Sequence, residues 1–300
     1  MKAAYIFSGQ GAQAVGMGKD LYEQSNAAAA IFNEADSVLG WSISDICFNG
    51  PAEKLTESKY CQPAIYTTSM ACLAAYREKF DGDPDEIVGC AGLSLGEYAA
   101  LAAAGYFTFA NGLKLVARRA ELMDEACKNT QGGMAAIIAG DPDVIREVCR
   151  ECDIDVANYN CPGQIVISGV KDGVLKACAM LKEKGVKRAL PLNVAGAYHS
   201  RLMAEAGRQL RGPLADTYVT ALEYPVVQNL TGAAEADLQQ IKENLAGQVA
   251  GSVKWEECVR TLIGLGAEKF VEFGSGAVLT GFVKKIDPSK ALLNVSGMIQ

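Results

Sequence analysis

Histidine is nearly absent from this chain: its 300 residues contain one, His199. Zinc sites built on paired histidines, the H-E-x-x-H protease arrangement among them, therefore cannot be assembled within it. Long apolar runs are also missing, and nothing approaches the roughly eighteen residues a membrane helix requires. The apolar stretch Ala3 to Phe7 that follows the first two residues is too short for a signal-peptide core. There is no internal repeat, low-complexity segment or like-charge block. The 31 glycines and 9 prolines follow no collagen-like period, and with half of the residues hydrophobic the chain is too apolar to remain a solvated coil.

What remains is an ordinary globular composition with a net charge of −7, long enough for one large domain or two smaller ones. Ten cysteines with no secretion signal read as reduced thiols of a cytoplasmic protein, most of them small buried hydrophobes. Cys149 and Cys152 form a C-x-x-C. It closes a predicted helix instead of opening one, and Cys161 and Cys178 do not repeat the spacing, so packing is expected there and neither zinc nor dithiol chemistry.

Ala3 to Phe7 reads as a strand running into a glycine-rich turn, followed by helical patterns through Leu39 and from Gln62 to Phe80. Ile87 to Ala91 reads as a second apolar strand, with an alanine-rich helix from Leu95 to Ala104 and another, capped by Thr108, reaching Lys128. Apolar strands alternating with helices imply a mostly parallel sheet covered by helices on both faces. The middle of the chain changes character. Strands Met134 to Ala139, Ile154 to Tyr159, Gln164 to Ser168 and Lys187 to Val194, with helices Val144 to Glu151 and Asp172 to Lys184, give the order β-α-β-β-α-β of a ferredoxin-like unit. The expected fold class is thus α/β, a hydrolase-like large domain (1–130 and 196–300) with an inserted ferredoxin-like subdomain (131–195). Beyond it, a helix after His199, a strand from Val226 to Leu230, helices Leu238 to Ala246 and Trp255 to Leu265, and strands Phe270 to Phe273 and Leu292 to Val295 complete the reading.

Gly92-Leu93-Ser94-Leu95-Gly96 fits G-x-S-x-G between a predicted strand and a predicted helix, the context that motif requires. A serine on so tight a turn projects its hydroxyl outward, and glycine two residues to either side removes side chains that would clash as the chain reverses. Serine needs a base at neutral pH, and His199 is the only imidazole available. A Ser-Lys arrangement would need S-x-x-K, which is absent around Ser94. The first turn, Gly9-Gln10-Gly11-Ala12-Gln13-Ala14, fits the dinucleotide fingerprint G-x-G-x-x-A. The acidic residues at the right distance, Glu34 and Asp36, fall within a helical pattern instead of at a strand end, so a turn offering backbone N–H groups to an anion is the better reading.

Phe7-Ser8-Gly9-Gln10-Gly11-Ala12-Gln13 resembles the F-P-G-Q-G-S-Q opening, and Gly92 to Tyr98 the G-H-S-L-G-E-Y elbow, of the malonyl-CoA:acyl carrier protein transacylases. The similarity continues through Asn158 to Gln164, Ala197-Tyr198-His199-Ser200, Gln248 with Trp255, and Glu272 to Gly276, and so spans essentially the whole chain. The resemblance implies ping-pong acyl transfer in fatty acid synthesis, with coenzyme A thioester as substrate, no permanently bound cofactor or metal, and malonyl-CoA and acyl carrier protein, but neither nucleic acid nor membrane, as partners. Ser94 would attack the malonyl thioester with His199 as base, and the carrier's phosphopantetheine thiol would discharge the malonyl-serine. The resemblance further assigns the oxyanion hole to the backbone N–H groups of Gln10 and Leu95, the histidine's orientation to a backbone carbonyl at Gln248, and a supporting place to Asn160. A malonyl carboxylate calls for a guanidinium fork. Arg118 and Arg119 are about 100° apart on a helix, so at most one can face the site, and family register selects Arg119.

Leu93 stands where the family usually has histidine, which affects polarity beside Ser94, and Ser8 replaces a proline, which is expected to loosen the oxyanion turn. Gly196-Ala197-Tyr198-His199 is closer to the segment of malonyl-selective domains than of methylmalonyl-selective ones. Both coenzyme A and carrier proteins are anionic, so a chain of net charge −7 needs a local basic surface, for which Lys187, Arg188, Arg201, Arg208 and Arg211 are candidates. A serine hydrolase or thioesterase with the same dyad, and a non-catalytic module binding acyl-CoA or carrier protein, remain the alternatives.

Overall fold

In the computed structural model, which describes residues 1–194 and 196–297, β1 (Lys2–Phe7) sits inside a six-stranded sheet. Its unbroken apolar run needs no solvent face, because parallel neighbours flank it and both sides are covered. Tyr5 and Phe7 join the core under α1 (Lys19–Gln24), α2 (Asn26–Leu39), α3 (Ile43–Asn49), α4 (Ala52–Thr56) and α5 (Ser58–Phe80). Helices α3 and α4 are not apparent in the sequence pattern, being short and separated by Gly50-Pro51. Helix α5 starts four residues earlier than Gln62 and runs through Pro63, most of its length being buried. Glu34 and Asp36 are helical, within α2, which leaves the first turn without the acidic partner of a dinucleotide site.

Next come β2 (Glu86–Gly92), α6 (Gly96–Ala103) and α7 (Phe109–Lys128), the last capped by the Thr108 hydroxyl accepting from Asn111 N–H. The chain then builds a separate antiparallel sheet from β3 (Gly132–Ile138), α8 (Pro142–Glu151), β4 (Asp155–Cys161), β5 (Gln164–Val170), α9 (Lys171–Glu183) and β6 (Arg188–Pro191). Its order, β4-β5-β3-β6, is that of a ferredoxin-like unit. Asp141 caps α8 through its carboxylate, and Gly185, in a left-handed turn, ends the segment after α9. Cys149, Cys152 and Cys178 are buried together between this sheet and its helices, as packing requires, and all ten cysteines are free. Strand β6 stops at Pro191, short of Val194. Residue 195, the last of the expected insertion, and residues 298–300 lie outside the described residues.

The return passes through a 3-10 turn (Arg201–Met203), α10 (Ala204–Asp216), β7 (Val226–Val227), β8 (Ala234–Glu235), α11 (Leu238–Gln248), α12 (Trp255–Gly264), β9 (Lys269–Phe273), α13 (Val278–Ile286) and β10 (Ala291–Val295). The large sheet runs β10-β9-β1-β2-β7-β8, parallel except for β8. Strand β7 is only two residues long, and the two residues after it bond Glu97, Gln228 through its Nε2 and Asn229 through its backbone N–H. Helix α13 has no local side-chain cap to mark it in the sequence. Its N-terminal N–H groups at Leu279 and Thr280 are satisfied from outside by Glu272 at 3.0 and 2.8 Å. The Glu272-to-Gly276 motif thus ties a helix to β9.

In the large sheet Phe7 pairs with both Gly92 and Phe273, so the turns after β1, β2 and β9 emerge side by side at the sheet's C-terminal edge. In an open α/β sheet that edge is where ligands bind.

Candidate active site

Ser94 occupies the turn between β2 and α6 with φ of 53°, the left-handed conformation a sharp elbow demands of a non-glycine residue. The flanking glycines are obligatory. A Cβ at Gly92 would lie 2.0 Å from the carbonyl carbon of Gly96, and one at Gly96 would lie 2.3 Å from Phe7 O. Asn229 clamps the turn from β7's end: its Oδ1 accepts from Ser94 N–H at 2.6 Å and its Nδ2 donates to Gly92 O at 2.8 Å. With the Ser94 N–H so engaged, the N–H groups left free at the turn matter. Those of Leu95 and Gln10 have no hydrogen-bond partner among the described residues, and the two turns are joined by Leu93 N–H donating to Phe7 O at 3.0 Å. Together they can receive developing negative charge.

The Ser94 hydroxyl donates to His199 Nε2 at 2.7 Å. His199 Nδ1 faces two backbone carbonyls, Gln248 O at 2.9 Å and Gly251 O at 3.2 Å. Two acceptors fix the proton on Nδ1 and leave the Nε2 lone pair toward serine, the tautomer a base requires. Among the described residues no carboxylate bonds the imidazole. The antiparallel sheet steadies this carbonyl pair, since Val253 N–H donates to Ala157 O at 2.8 Å and Tyr159 N–H to Val253 O at 2.9 Å. The motif around Asn158 thus acts on the histidine at one remove. Asn160 is buried on β4, its Oδ1 unpartnered, and makes no hydrogen bond to Ser94 or His199 among the described residues.

The two adjacent arginines diverge as helix geometry dictates. Arg118 pairs with Glu121 at 2.9 Å on the outer face, whereas Arg119 is 1% exposed. Arg119 Nη2 donates to Ser94 Oγ at 3.0 Å and Gln248 Oε1 at 3.1 Å, and Nη1 donates to Gln62 Oε1 at 2.6 Å. Its guanidinium lies over the Tyr98 ring, and its Nε is buried without a partner. A buried, incompletely bonded guanidinium beside a serine hydroxyl is able to receive an anionic group.

Burial first, and then the Arg119 charge, push His199 down to about 4. The imidazole therefore stays neutral, and able to accept a proton, far below its ordinary range. Single-turnover acylation of Ser94 is expected to be undiminished at about pH 5.5, where a histidine of ordinary pKa would be about 90% protonated. A tenfold fall by that pH would contradict this placement of the base.

Gln62, Glu97 and Asn229 were not singled out in the sequence. Glu97 lies within the elbow motif, but nothing local marks Gln62 or Asn229, whose partners are 57 and 135 residues away. Ser8 ties its turn to β9, its N–H donating to Phe273 O at 3.2 Å, a bond proline could not make. Leu93 packs at the margin of the core under α12 and α13. The basic cluster is weaker than its sequence suggests, because neighbouring acids consume it. Arg201 pairs with Asp153 and Asp155, Arg208 with Glu205 and Arg211 with Glu243. Lys187 and Arg188 alone of the five have no ion pair among the described residues, and both are exposed.

Comparison with known proteins gives a consistent picture. Residues 4–288 match the family model described as acyl transferase domain. The chain is 41% identical over 300 residues to a Bacillus subtilis (strain 168) protein called malonyl CoA-acyl carrier protein transacylase, covering 98% of this chain and 93% of that protein. An acyl carrier protein S-malonyltransferase from Vibrio cholerae superposes with a TM-score of 0.94 at 38% identity, covering 99% of this chain and 97% of the other. A malonyl-transacylase solved in complex with its type II polyketide acyl-carrier protein superposes with a TM-score of 0.95 at 34% identity, over 99% and 96% of the two chains.

Proposed function

The chain belongs to the acyl transferase domain family, and from that premise we propose that it moves a malonyl group from coenzyme A to an acyl carrier protein through an ester on Ser94. The observation that carries the malonyl part of this reading is Arg119, a fully buried guanidinium 3.0 Å from the Ser94 hydroxyl. A hydrolase acting on neutral esters would have no use for such a group.

His199 Nε2 takes the Ser94 proton as Oγ attacks the thioester carbonyl, and the N–H groups of Leu95 and Gln10 receive the oxyanion. The coenzyme A sulfur leaves with the proton. In the second half-reaction His199 deprotonates the carrier's phosphopantetheine thiol, which attacks the malonyl-serine carbonyl, and the imidazolium returns that proton to Oγ as the ester bond breaks. Arg119 holds the malonyl carboxylate in both halves, while Gln62 and Gln248 hold Arg119. The thioester arrives activated, so no resident cofactor is required. Residues 131–195 serve as an inserted subdomain that steadies the carbonyls behind His199. Lys187 and Arg188, exposed on that subdomain and without an ion pair among the described residues, are candidate cations to meet an anionic partner. No helix among the described residues is long and apolar enough to cross a membrane, and ten free thiols suit a reducing cytoplasm serving fatty acid synthesis.

Arg119→Ala tests this reading. Malonyl transfer is expected to lose at least ~2 kcal/mol in kcat/KM, because a charge-assisted fork is removed, with acetyl transfer suffering less. Equal losses for malonyl-CoA and acetyl-CoA, measured side by side, would show that Arg119 does not receive the carboxylate.

A further inference from the structure

Glu97 has no solvent access and no part in the steps above, yet it is wired to the residue that would hold the substrate. Its Oε2 accepts from Asn229 N–H at 2.8 Å and from Gln248 Nε2 at 3.0 Å, and its Oε1 accepts from Gln228 Nε2 at 3.2 Å. The same Gln248 carboxamide accepts from Arg119 Nη2 through its other end at 3.1 Å. One carboxamide thus bridges a buried guanidinium and a buried carboxyl. The remaining hydrogen-bond partners of Arg119, Gln62 and the Ser94 hydroxyl, are neutral. Two charges taken out of water are tolerable chiefly when they offset each other.

We propose that Glu97 is the internal counter-charge of Arg119, and that a malonyl carboxylate displaces it from that role, so that loading malonyl, but not acetyl, draws a proton from solvent onto Glu97. The proposal rests on the reading of Arg119 as the carboxylate receptor. Two carboxylates cannot both remain ionised against one buried cation without a large penalty, and the less directly bonded one takes the proton. The substrate would bond Arg119 directly, whereas Glu97 reaches it only through Gln248. Burial already holds Glu97 up at about 7 against the hydrogen bonds and the Arg119 charge that favour its ionised form. A second anion nearby raises it further. The other titratable groups packed around it are Tyr98 on α6, Cys258 on α12 and, beyond Gln248, His199. Burial keeps the phenol and the thiol neutral by raising them and the imidazole neutral by lowering it.

The surroundings can satisfy both states of Glu97. From Oε1 a chain of carboxamides runs outward. Gln228 Oε1 accepts from Asn244 Nδ2 at 2.6 Å, and Asn244 Oδ1 accepts from Gln240 Nε2 at 2.9 Å, Gln240 being exposed. Reversing the three amides in concert lets a protonated Oε1 donate to Gln228 Oε1, Gln228 Nε2 donate to Asn244 Oδ1, and Asn244 Nδ2 donate to Gln240 Oε1. Every buried polar atom of the chain keeps a partner, which a chain ending in a fixed charge would not allow.

The test is a proton count. The full-length enzyme is mixed with malonyl-CoA or acetyl-CoA near pH 8 in weak buffer with an indicator dye, and acyl-serine is quantified by intact mass. Release of the coenzyme A thiol is common to both, so the difference isolates the carboxylate. Wild type is expected to take up about one proton more per malonyl-serine than per acetyl-serine, and Glu97→Gln none. No difference in wild type, or an unchanged difference in Glu97→Gln, overturns the proposal. Should Glu97→Gln not fold, infrared difference spectra with ¹³C-malonyl-CoA decide on the wild type alone. A new protein carboxylic-acid carbonyl band is expected on malonylation and not on acetylation, and its absence is contrary. If Arg119→Ala loads malonyl as readily as wild type, the receptor reading has failed; a normal Arg119 effect without the malonyl-specific proton removes only the role of Glu97.

Discussion

Replacing Ser94 by alanine is expected to lower malonylation of acyl carrier protein by about 10⁶-fold, the scale on which serine enzymes lose turnover when the attacking hydroxyl is removed. The loss would be chemical and not structural. The hydrogen bond that pins the elbow uses the backbone N–H of residue 94, held by Asn229 at 2.6 Å, and alanine in a left-handed turn is strained to about the same degree as serine. Arg119, His199 and the free N–H groups of Gln10 and Leu95 would all remain, so malonyl-CoA should still bind. A transfer rate within tenfold of wild type, followed by mass spectrometry of the carrier protein, would mean that the thiol attacks malonyl-CoA directly.

His199→Ala is expected to slow single-turnover acylation by about 10²–10⁴-fold, which corresponds to ~3–5 kcal/mol of barrier. The chain contains no second imidazole to substitute for it, and its 5% exposure means that the deletion leaves a buried, polar-walled space. Added imidazole should enter that space and restore part of the rate, since the carbonyls of Gln248 and Gly251 that fix Nδ1 persist. KM for malonyl-CoA should move much less than kcat if, as proposed, Arg119 and not His199 meets the carboxylate. A KM effect as large as the kcat effect, with no rescue, would assign the histidine to binding.

The parts of this site that were legible in the sequence are those whose chemistry is written in a few consecutive residues. Gly92-Leu93-Ser94-Leu95-Gly96 announces its own turn, since the close approach of Gly92 to Gly96 is a local steric fact. Helix period shows that Arg118 and Arg119 must diverge, and the family resemblance, not the period, selects Arg119. The β-α-β-β-α-β order could be read because each helix and strand of that segment carries its own period and stop signals. Gln62 and Asn229 were not legible, because a carboxamide has no pattern and its meaning lies wholly in partners brought close by the fold. The same holds for α13, whose cap is supplied by Glu272 on a neighbouring strand. The basic cluster was over-read for the converse reason. The sequence shows Arg201, Arg208 and Arg211, but not that Asp153, Asp155, Glu205 and Glu243 fold against them.

Whether Ser94 holds malonyl for a carrier thiol is decided by intact-mass measurement after rapid mixing of the wild-type enzyme with malonyl-CoA, followed by a chase with holo acyl carrier protein or buffer alone. One malonyl adduct is expected, on Ser94, discharged far faster by the carrier protein than by water. Discharge by water at the same rate as by carrier protein would make the protein a thioesterase, and no adduct at any time without turnover would make it a binding module.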